Sequence, residues 1–537
     1  MSAINHSMQG VHTPQVLSVP TTSELKRLLD AGFNSIGDLL DRLLGADVTF
    51  MNPLLGVDVY KMGHMEQYKP GTTEVYDVLV ARSDKMYDRT VFFGLQWWLK
   101  TYLTRRLTPA MAEEFLENRK AILGSNSPEV ERKIRALGEL GYFPVEIKAV
   151  PEGTVMTVQN VLMTVRNTHP DFHWVPGFLE SLIMKVWDAI ASASCVFVYR
   201  QIVEEYYEKT VTEEQMFLKE FACHDFGYRG CGSEQEAAIT GAAFLMCFSG
   251  SDTVIAREFL IRNYGADRNQ PFILSVPASE HSIHCSFSGD DLAYIDNMLR
   301  LYPAGIVSIV SDTRDVYDFI ARIAPMRKDE ILSRDGKVVF RPDSGDPWKI
   351  ICGDPDAPEG SLEWKGVLRI LADEFGYTVN KKGYKVLHAK IGLIYGDGMY
   401  IARYRRVLQT MMEMGFAASN LVIGIGGIVR NHSRDSQGIS LKATHVINNG
   451  VRVDIQKDPV TDPGKKSPKG LVSLSRDEAG VYHTKNECTL EEEAASLLEV
   501  AFRDGAVPKD QTHMEVRTRL LSYIIPAAND PAMEAAA

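Results

Sequence analysis

The chain of 537 residues is longer than one ordinary domain requires, and its 45% hydrophobic and 24% charged residues are typical of a folded globular protein. Its 58 Lys and Arg residues against 70 Asp and Glu residues give a net charge of −12, which argues against nucleic acid or a membrane surface as a general partner. Seven irregularly spaced cysteines without a CxxC motif favour reduced thiols and a cytoplasmic location. We expect no secretory signal and no membrane span.

The two ends of the chain differ in character from the rest. Residues 1–50 are predicted to form an N-terminal extension that is partly helical, because leucines recur at helical spacing in residues 23–44 and Ser35 can cap a second helix there. Residues 526–537 are small and polar, which predicts a disordered tail.

A repeated pattern organises the centre of the chain, where a short apolar run ends in a polar cluster and a helical pattern often follows. Many of these units are spaced by about 30 residues, as βα units are. Unbroken apolar runs are typical of parallel strands that are buried on both faces, and βα barrels build their active sites at the carboxyl ends of such strands. We therefore predict an α/β catalytic domain over residues 191–439. The runs are "FACHDFGYRG" (221–230), "FILSVPASEH" (272–281), "GIVSIVSDTRD" (305–315), "VVFRPDSGDP" (338–347), "KIGLIYGDGM" (390–399) and "NLVIGIGG" (420–427).

The flanking regions carry shorter apolar runs that alternate with polar residues. Examples are "TTEVYDVLVAR" (72–82), "PVEIKAVPEGTVMTV" (144–158) and "LVSLSRDEAGVYHT" (471–484). Such alternation is typical of antiparallel strands with one face towards solvent. We predict an α+β domain over residues 51–190 that residues 440–525 complete.

The polar residues after the central runs are the candidates for chemistry. An arginine there can stack on a planar ring or bind phosphate, and a carboxylate can bind ribose hydroxyls or a metal. A single aspartate in such a place is more often a helix cap, so the shared position at strand ends is what favours a site. The candidates are Phe226, Arg229, Asp252, Asp312, Asp315, Arg341, Asp343 and Asp397.

Two further segments leave alternatives open. Gly426 and Gly427, followed by Arg434, can bring backbone N–H groups to a phosphate, or can simply form a tight strand-to-helix turn. His281 and His284 stand at zinc-ligand spacing, but no further ligand pair accompanies them, so hydrogen-bonded histidines are favoured. A nucleophilic Cys285 lacks a base whose position the sequence predicts.

Taken together, the motifs resemble the nicotinamide phosphoribosyltransferases from about residue 52 to about residue 520. The resemblance lies in "LLGVDVYKMGHMEQYKPGTTEVYD" (54–77), "VFFGLQWWL" (91–99), "EIKAVPEGTV" (146–155), "HDFGYRG", "SVPASEHS", "SIVSD", "RPDSGDP", "YGDG" and "QKDPVTDP" (456–463). It implies an irregular α/β barrel of the type II phosphoribosyltransferases beside an α+β domain with an antiparallel sheet. It also implies synthesis of nicotinamide mononucleotide and pyrophosphate from nicotinamide and 5-phosphoribosyl-1-pyrophosphate with Mg²⁺, in a homodimer with shared active sites.

The resemblance also implies roles for individual residues. Phe226 and the partner subunit's Tyr60 would sandwich the nicotinamide ring, with Arg341 against it, Asp252 accepting from the carboxamide NH₂ and Ser308 near the same pocket. Asp343, Gly396 and Asp397 would hold the ribose, and Asp312 would face the sugar and the pyrophosphate with its metal. Arg229, Gly426, Gly427 and Arg434 would bind phosphates, and His281 would accept a phosphoryl group from ATP.

One departure from the family pattern and two rival functions accompany this interpretation. The family's phosphate loop usually has three consecutive glycines, whereas Ile425 takes the first place here. A nicotinate phosphoribosyltransferase shares the fold, but Asp252 would repel the nicotinate carboxylate. A catalytically silent binding or signalling protein on this scaffold is the other alternative, and intact Asp252, His281, Arg341 and Asp343 argue against it.

Overall fold

The structure is a computed structural model that describes residues 52–427 and 431–524. The predicted helical extension at 1–50 and the predicted tail at 526–537 lie outside the described residues. The strands are β1 (Thr72–Val80), β2 (Arg89–Val91), β3 (Val145–Ala149), β4 (Val155–Thr157), β5 (Val161–Asn167), β6 (Cys223–Asp225), β7 (Gly250–Ser251), β8 (Ala304–Val310), β9 (Asp335–Arg341), β10 (Tyr377–Val379), β11 (Lys385–Leu387), β12 (Ile391–Tyr395), β13 (Leu421–Ile425), β14 (Ser440–Asn448), β15 (Val451–Asp454), β16 (Ser473–Arg476), β17 (Tyr482–Lys485) and β18 (Glu499–Arg503).

The α-helices alternate with these strands, and several short 3₁₀ and π turns extend them. They are α1 (His64–Gln67), α2 (Leu95–Trp98), α3 (Pro109–Leu123), α4 (Pro128–Leu140), α5 (Val175–Ile183), α6 (Trp187–Thr210), α7 (Glu234–Leu245), α8 (Val254–Tyr264), α9 (His281–Cys285), α10 (Asp291–Leu301), α11 (Val316–Asp318), α12 (Lys328–Ser333), α13 (Pro347–Cys352), α14 (Leu362–Phe375), α15 (Ile401–Glu413), α16 (Leu490–Ala494) and α17 (His513–Leu521).

The central strands form one parallel sheet in the order β7–β6–β13–β12–β9–β8. Its two edges are joined through residues 274–279, because Leu274 bridges to Gly250 and Ala278 bridges to Ser308. The run at 272–281 therefore closes the barrel by two isolated bridges instead of a regular strand. Pro277 has no N–H to donate to a ladder, which explains why no regular strand forms there. The predicted irregular α/β barrel is confirmed.

A six-stranded antiparallel sheet lies beside the barrel, in the order β15–β14–β1–β5–β3–β18. Its strands come from both ends of the described chain, with β1 paired to β14 along almost its whole length from Thr72–Asn448 to Val80–Ser440. The predicted run at 471–484 is instead a separate hairpin, in which β16 pairs with β17. The domain boundaries near residues 190 and 440 stay a prediction.

The barrel and the antiparallel sheet share a continuous apolar core. The helical stretch Val175–Thr210, which contains α5 and α6, is long and apolar enough to cross a membrane by length and composition alone, but 72% of its most apolar window is buried inside the structure. A core helix meets the same criterion, and α6 accordingly packs between β2 and helices α7 and α15. All seven cysteines lie within the described residues, and none of them forms a disulfide bond there.

Candidate active site at the carboxyl ends of the parallel strands

The parallel strands place several of the predicted polar side chains around Asp343, which follows β9. The Asp343 backbone N–H donates to the Asp312 carboxylate, with 2.7 Å between N and Oδ2. Burial raises the pKa of Asp343 above its ordinary value; the Arg341 guanidinium lowers it, Asp312 and Asp397 raise it, and His281 lowers it. Four of the predicted site residues are thus close enough to Asp343 to affect its charge.

Asp312 and His281 form a hydrogen-bonded pair at this edge. The His281 Nε2 lies 3.0 Å from Asp312 Oδ1, and the carboxylate side chain is only 5% exposed whereas the imidazole is 42% exposed. A buried carboxylate that holds a solvent-accessible imidazole orients the ring and favours one tautomer. The arrangement suits an imidazole that acts as a base or a nucleophile.

Phe226, which follows β6, lies over two glycines of the neighbouring strands. A Cβ built on Gly424 would stand 2.2 Å from the Phe226 ring, and one built on Gly396 would stand 3.8 Å from it. The same Gly396 Cβ would stand 2.3 Å from Asp343 Oδ1. Both glycines are therefore required by the close approach of a ring and a carboxylate, and Phe226 is adjacent to the Asp343 cluster.

Asp252 follows β7 and is tied to two neighbouring segments. Its N–H donates to the Asp225 carbonyl at 2.9 Å, and its Oδ1 accepts a hydrogen bond from the Ser275 hydroxyl. Helix α8 begins only after Thr253, so Asp252 is not the cap residue of that helix. Asp315 and Asp346, in contrast, do cap helices α11 and α13 with their side chains.

Two predicted site residues carry buried polar atoms without a hydrogen-bond partner among the described residues. These atoms are the Ser308 hydroxyl oxygen and the Arg341 Nε. Ser308 is held by its backbone, which bonds to Pro277 and Ser279 of the segment that closes the barrel. Buried polar groups are seldom left unsatisfied, so these two are available to a ligand that enters the barrel edge.

The glycine turn after β13 approaches the loop that carries Arg229. The Phe226 N–H donates to the Ile425 carbonyl at 2.9 Å, and a Cβ on Gly427 would stand 3.8 Å from the Gly230 Cα. Gly427 and Arg229 are exposed, so their polar groups face solvent. The predicted phosphate loop thus lies beside the Phe226 loop, although Ile425 replaces a glycine.

Arg434 and Tyr60 make their contacts elsewhere. Arg434 is 55% exposed and pairs with Asp435 at 2.7 Å. Tyr60 is 62% exposed and touches His64 and the Lys61 ammonium, beside helix α5. The role of Tyr60 in the partner subunit's site stays a prediction.

Arg82 and Ser275 were missed by the sequence analysis. Arg82 follows β1, and its Nε donates to the Gly438 carbonyl at 2.9 Å; burial lowers the pKa of its guanidinium, and the nearby Arg434 lowers it further. Ser275 follows an apolar run of the barrel, where the rule that selected the other candidates applies, whereas Arg82 ends a strand of the antiparallel sheet, where that rule does not apply. No group of three or more His, Cys, Asp or Glu side chains among the described residues is arranged to hold a metal ion.

Comparisons with known proteins identify the family. The model of the nicotinate phosphoribosyltransferase (NAPRTase) family matches residues 221–506, and that of the nicotinamide phosphoribosyltransferase N-terminal domain matches residues 52–125. The nicotinamide phosphoribosyltransferase of Acinetobacter baylyi is 36% identical over 500 residues, which are 88% of this chain and 98% of that one. The enzyme of the same name from Xanthomonas campestris pv. campestris is 34% identical and covers 87% and 97%.

The chain belongs to the nicotinamide phosphoribosyltransferase family. Among solved structures, nicotinate-nucleotide pyrophosphorylase from Pyrococcus furiosus is similar with a TM-score of 0.50 and 15% identity, over 88% of this chain and 95% of that one. At that identity the likeness shows the shared fold. The resemblance read from the sequence motifs and the predicted type II phosphoribosyltransferase fold are both confirmed.

Proposed function

We propose that this chain transfers the phosphoribosyl group of 5-phosphoribosyl-1-pyrophosphate to nicotinamide, giving nicotinamide mononucleotide and pyrophosphate in the salvage of NAD. The observation that carries the proposal is the position of the Phe226 ring over Gly424 and Gly396, directly beside the Asp343 carboxylate. A flat aromatic surface can stack on an aromatic base, and the carboxylates beside it can bind the sugar with which that base reacts.

Phe226 and Arg341 would contact the aromatic base. The Phe226 ring offers a stacking face, and the Arg341 guanidinium, whose Nε has no partner among the described residues, lies on the strand next to β12. Asp252 would accept a hydrogen bond from the carboxamide NH₂, and Ser308 would offer its free hydroxyl in the same pocket.

The carboxylates would act on the sugar. Asp343 and Asp397 would accept hydrogen bonds from the ribose hydroxyls, and Gly396 leaves the space that the Asp343 side chain occupies. Asp312 already orients the Asp343 backbone and would face the reacting carbon from the neighbouring strand. Negative charge at these positions stabilises a ribosyl group that becomes positively charged as its bond to the leaving group breaks.

The chemistry requires no proton transfer to or from the base. The bond from the anomeric carbon to the pyrophosphate oxygen breaks and its electron pair stays with the pyrophosphate, while the lone pair of the pyridine nitrogen forms the new bond. Arg229, Arg434 and the backbone at Gly426 and Gly427 would bind the phosphates of the substrate. Arg82, near Arg434, adds a third guanidinium to that group.

The carboxylate groups of the site could supply some of the ligands of a bound Mg²⁺ ion. Asp312 and Asp343 supply the carboxylate oxygens that Mg²⁺ prefers, and the described residues form no complete protein cage, which suits an ion that shares its ligands with substrate phosphates. When bound, Mg²⁺ would supply positive charge to the departing pyrophosphate.

His281 would couple ATP to the reaction. Its imidazole is 42% exposed and bonded to the buried Asp312, and it would act as the nucleophile that accepts a phosphoryl group. The chain would act as a homodimer in which the exposed Tyr60 completes the partner subunit's base site. Seven cysteines without a disulfide bond among the described residues support a reducing, cytoplasmic location.

The decisive experiment is turnover by the purified chain with Mg²⁺, 5-phosphoribosyl-1-pyrophosphate and either nicotinamide or nicotinate. We expect nicotinamide mononucleotide and pyrophosphate in equal amounts, with nicotinate a poor substrate. The Asp343→Ala variant, checked for an unchanged circular dichroism spectrum, is the matched inactive control. Preferential use of nicotinate would favour the rival enzyme, and no turnover of either base would favour the silent scaffold.

A further inference from the structure

A second link joins the two segments that carry His281 and Asp312. His284 lies three residues after His281 on helix α9, and Arg314 lies two residues after Asp312. The Asp291 Oδ1 accepts from both of them: His284 Nε2 stands 2.8 Å away, and the Arg314 guanidinium bonds to the same oxygen. One carboxylate at the start of helix α10 therefore bridges the helix with His281 and the loop with Asp312.

His284 is fixed by more than this bond. Its side chain is only 3% exposed, and its ring stacks on Tyr294 with 4.1 Å between centroids and 13° between planes. The Tyr294 hydroxyl in turn bonds to the Ser279 hydroxyl at 2.5 Å and to the Val310 carbonyl at 3.3 Å. The stack thus ties helix α9 to the closing segment and to the end of β8, two residues before Asp312.

Helix α9 needs such support. A helix of five residues is too short to be stable by itself, and the His281 side chain at its start is 42% exposed. Among the described residues the buried His284 Nδ1 has no partner, so the bond to Asp291 is the hydrogen bond that fixes this ring. The separation of His281 and Asp312 accordingly depends on residues that touch neither of them.

We propose that Asp291, His284 and Arg314 are positioning residues that keep His281 and Asp312 at hydrogen-bonding distance during the reaction. The inference rests on the roles proposed above for His281 and Asp312. The links through Asp291 use atoms other than those of the His281–Asp312 hydrogen bond, so they hold the two segments at this separation independently of that bond.

The test compares two aspartates of the same helix. Asp291→Ala removes both links, whereas Asp296→Ala removes the ion pair, at 2.5 Å, between helix α10 and Arg327, which precedes helix α12, and serves as the matched control. We expect kcat for nicotinamide mononucleotide synthesis to fall by about 10- to 100-fold in Asp291→Ala, since small displacements of catalytic groups have effects of that size. The KM for nicotinamide should stay constant, because Phe226 and Asp252 lie on other strands. Asp296→Ala should match the parent.

A double-mutant cycle distinguishes positioning from simple loss of stability. In an Asp312→Ala background, which removes the acceptor of the His281 bond, Asp291→Ala should cost little further activity, because the contact that it supports is already gone. His284→Gln, whose amide can reach Asp291, should retain more activity than His284→Ala. Should Asp291→Ala not fold, Arg314→Gln at a half-exposed side chain takes its place in the same cycle.

Two results would overturn the inference. One is full kcat in folded Asp291→Ala or Arg314→Gln protein. The other is an undiminished effect of either variant in the Asp312→Ala background, since it would show that the bridge acts independently of the pair. An inactive parent would contradict the proposed function instead, so the two failures are distinguishable.

Discussion

Gly424 lies so close beneath Phe226 that a methyl group on its Cα would stand 2.2 Å from the ring. Gly424→Ala must therefore displace the ring that is proposed to stack on nicotinamide. Aromatic stacking contributes about 0.5–1.5 kcal/mol, so we expect the KM for nicotinamide to rise by about 2- to 12-fold. Steady-state kinetics at saturating 5-phosphoribosyl-1-pyrophosphate measure this.

Gly464→Ala is the matched control for that prediction. Gly464 is exposed, and the nearest atom to a Cβ there is the flexible Asp462 carboxylate at 3.4 Å. This control should leave the KM at the parent value. An unchanged KM in Gly424→Ala as well would show that the Phe226 ring does not bind the base.

The acid side of the pH profile should report the ionisation of Asp343. Burial raises the pKa of this carboxyl group, and the nearby Asp312 and Asp397 raise it further, while Arg341 and His281 lower it. The proposed role requires the charged form, which is lost as the pH falls through the raised pKa. We expect kcat/KM to decline at a pH above the ordinary aspartate value.

Variants of the neighbours should move that midpoint in opposite directions. Arg341→Gln removes a cation that lowers the pKa, so the decline should begin at a higher pH. Asp397→Asn removes a charge that raises the pKa, so the decline should begin at a lower pH. The pH at which kcat/KM falls to half of its plateau is measured for each protein, and it does not depend on the height of that plateau. The same value in the parent, Arg341→Gln and Asp397→Asn would exclude Asp343 as the titrating group.

Tyr60 tests the proposed sharing of sites between subunits. Tyr60 is exposed and lies away from the Asp343 cluster, so Tyr60→Ala and Asp343→Ala homodimers should each be nearly inactive. Mixing the two after subunit exchange should restore some activity, because one of the two sites in a heterodimer is then intact. If exchange is verified by mass spectrometry and activity stays absent, the site is not shared in this way.

Much of the site follows from the sequence by one rule, that parallel strands present their carboxyl ends at the same edge. The rule brings Phe226, Asp312, Asp343 and Gly396 together, as the structure has them. It fails for the segment at 272–281, where Pro277 prevents a regular ladder. The run at 471–484 forms antiparallel strands as predicted, but their pairing in a separate hairpin was not predictable, because alternation indicates strands without specifying their partners.

Relationships across the chain were beyond the sequence. The proximity of Arg82 to Arg434 arises because β1 pairs with β14, and no local pattern connects residues that are more than 350 positions apart. The bridge through Asp291 was missed for a different reason. His284 was considered as a metal ligand from its spacing to His281, whereas the fold turns its ring towards Tyr294 and Asp291.

His281 is predicted to carry a phosphoryl group from ATP. The parent protein incubated with γ-labelled ATP should show acid-labile, alkali-stable label, and ATP should stimulate synthesis of nicotinamide mononucleotide. His281→Ala should lose both the label and the stimulation while it retains slow synthesis. His483→Ala, at an exposed histidine that pairs with Asp477, is the comparison and should keep the label at His281. Stimulation that persists in His281→Ala would contradict the prediction.

Asp252 is predicted to select the base. Nicotinamide and nicotinate differ only by an NH₂ against an O⁻, and the Asp252 carboxylate, held by Ser275, would accept from the first and repel the second. A hydrogen bond to a charged group contributes about 1.5–3 kcal/mol, and repulsion of the carboxylate adds to the discrimination. Asp252→Asn should therefore lower kcat/KM for nicotinamide by at least tenfold, which is about 1.4 kcal/mol, and raise it for nicotinate.

The ratio of the two kcat/KM values is the measurement, because discrimination between substrates is expressed in that ratio. Ser275→Ala is the companion variant: it keeps the charge of Asp252 and removes the hydroxyl that orients it, so nicotinamide use should weaken while nicotinate stays excluded. This difference separates the effect of charge from the effect of orientation. If Asp252→Asn keeps the parent's ratio, the carboxylate does not contact the amide, and its bond to Ser275 serves only to attach the closing segment to β7.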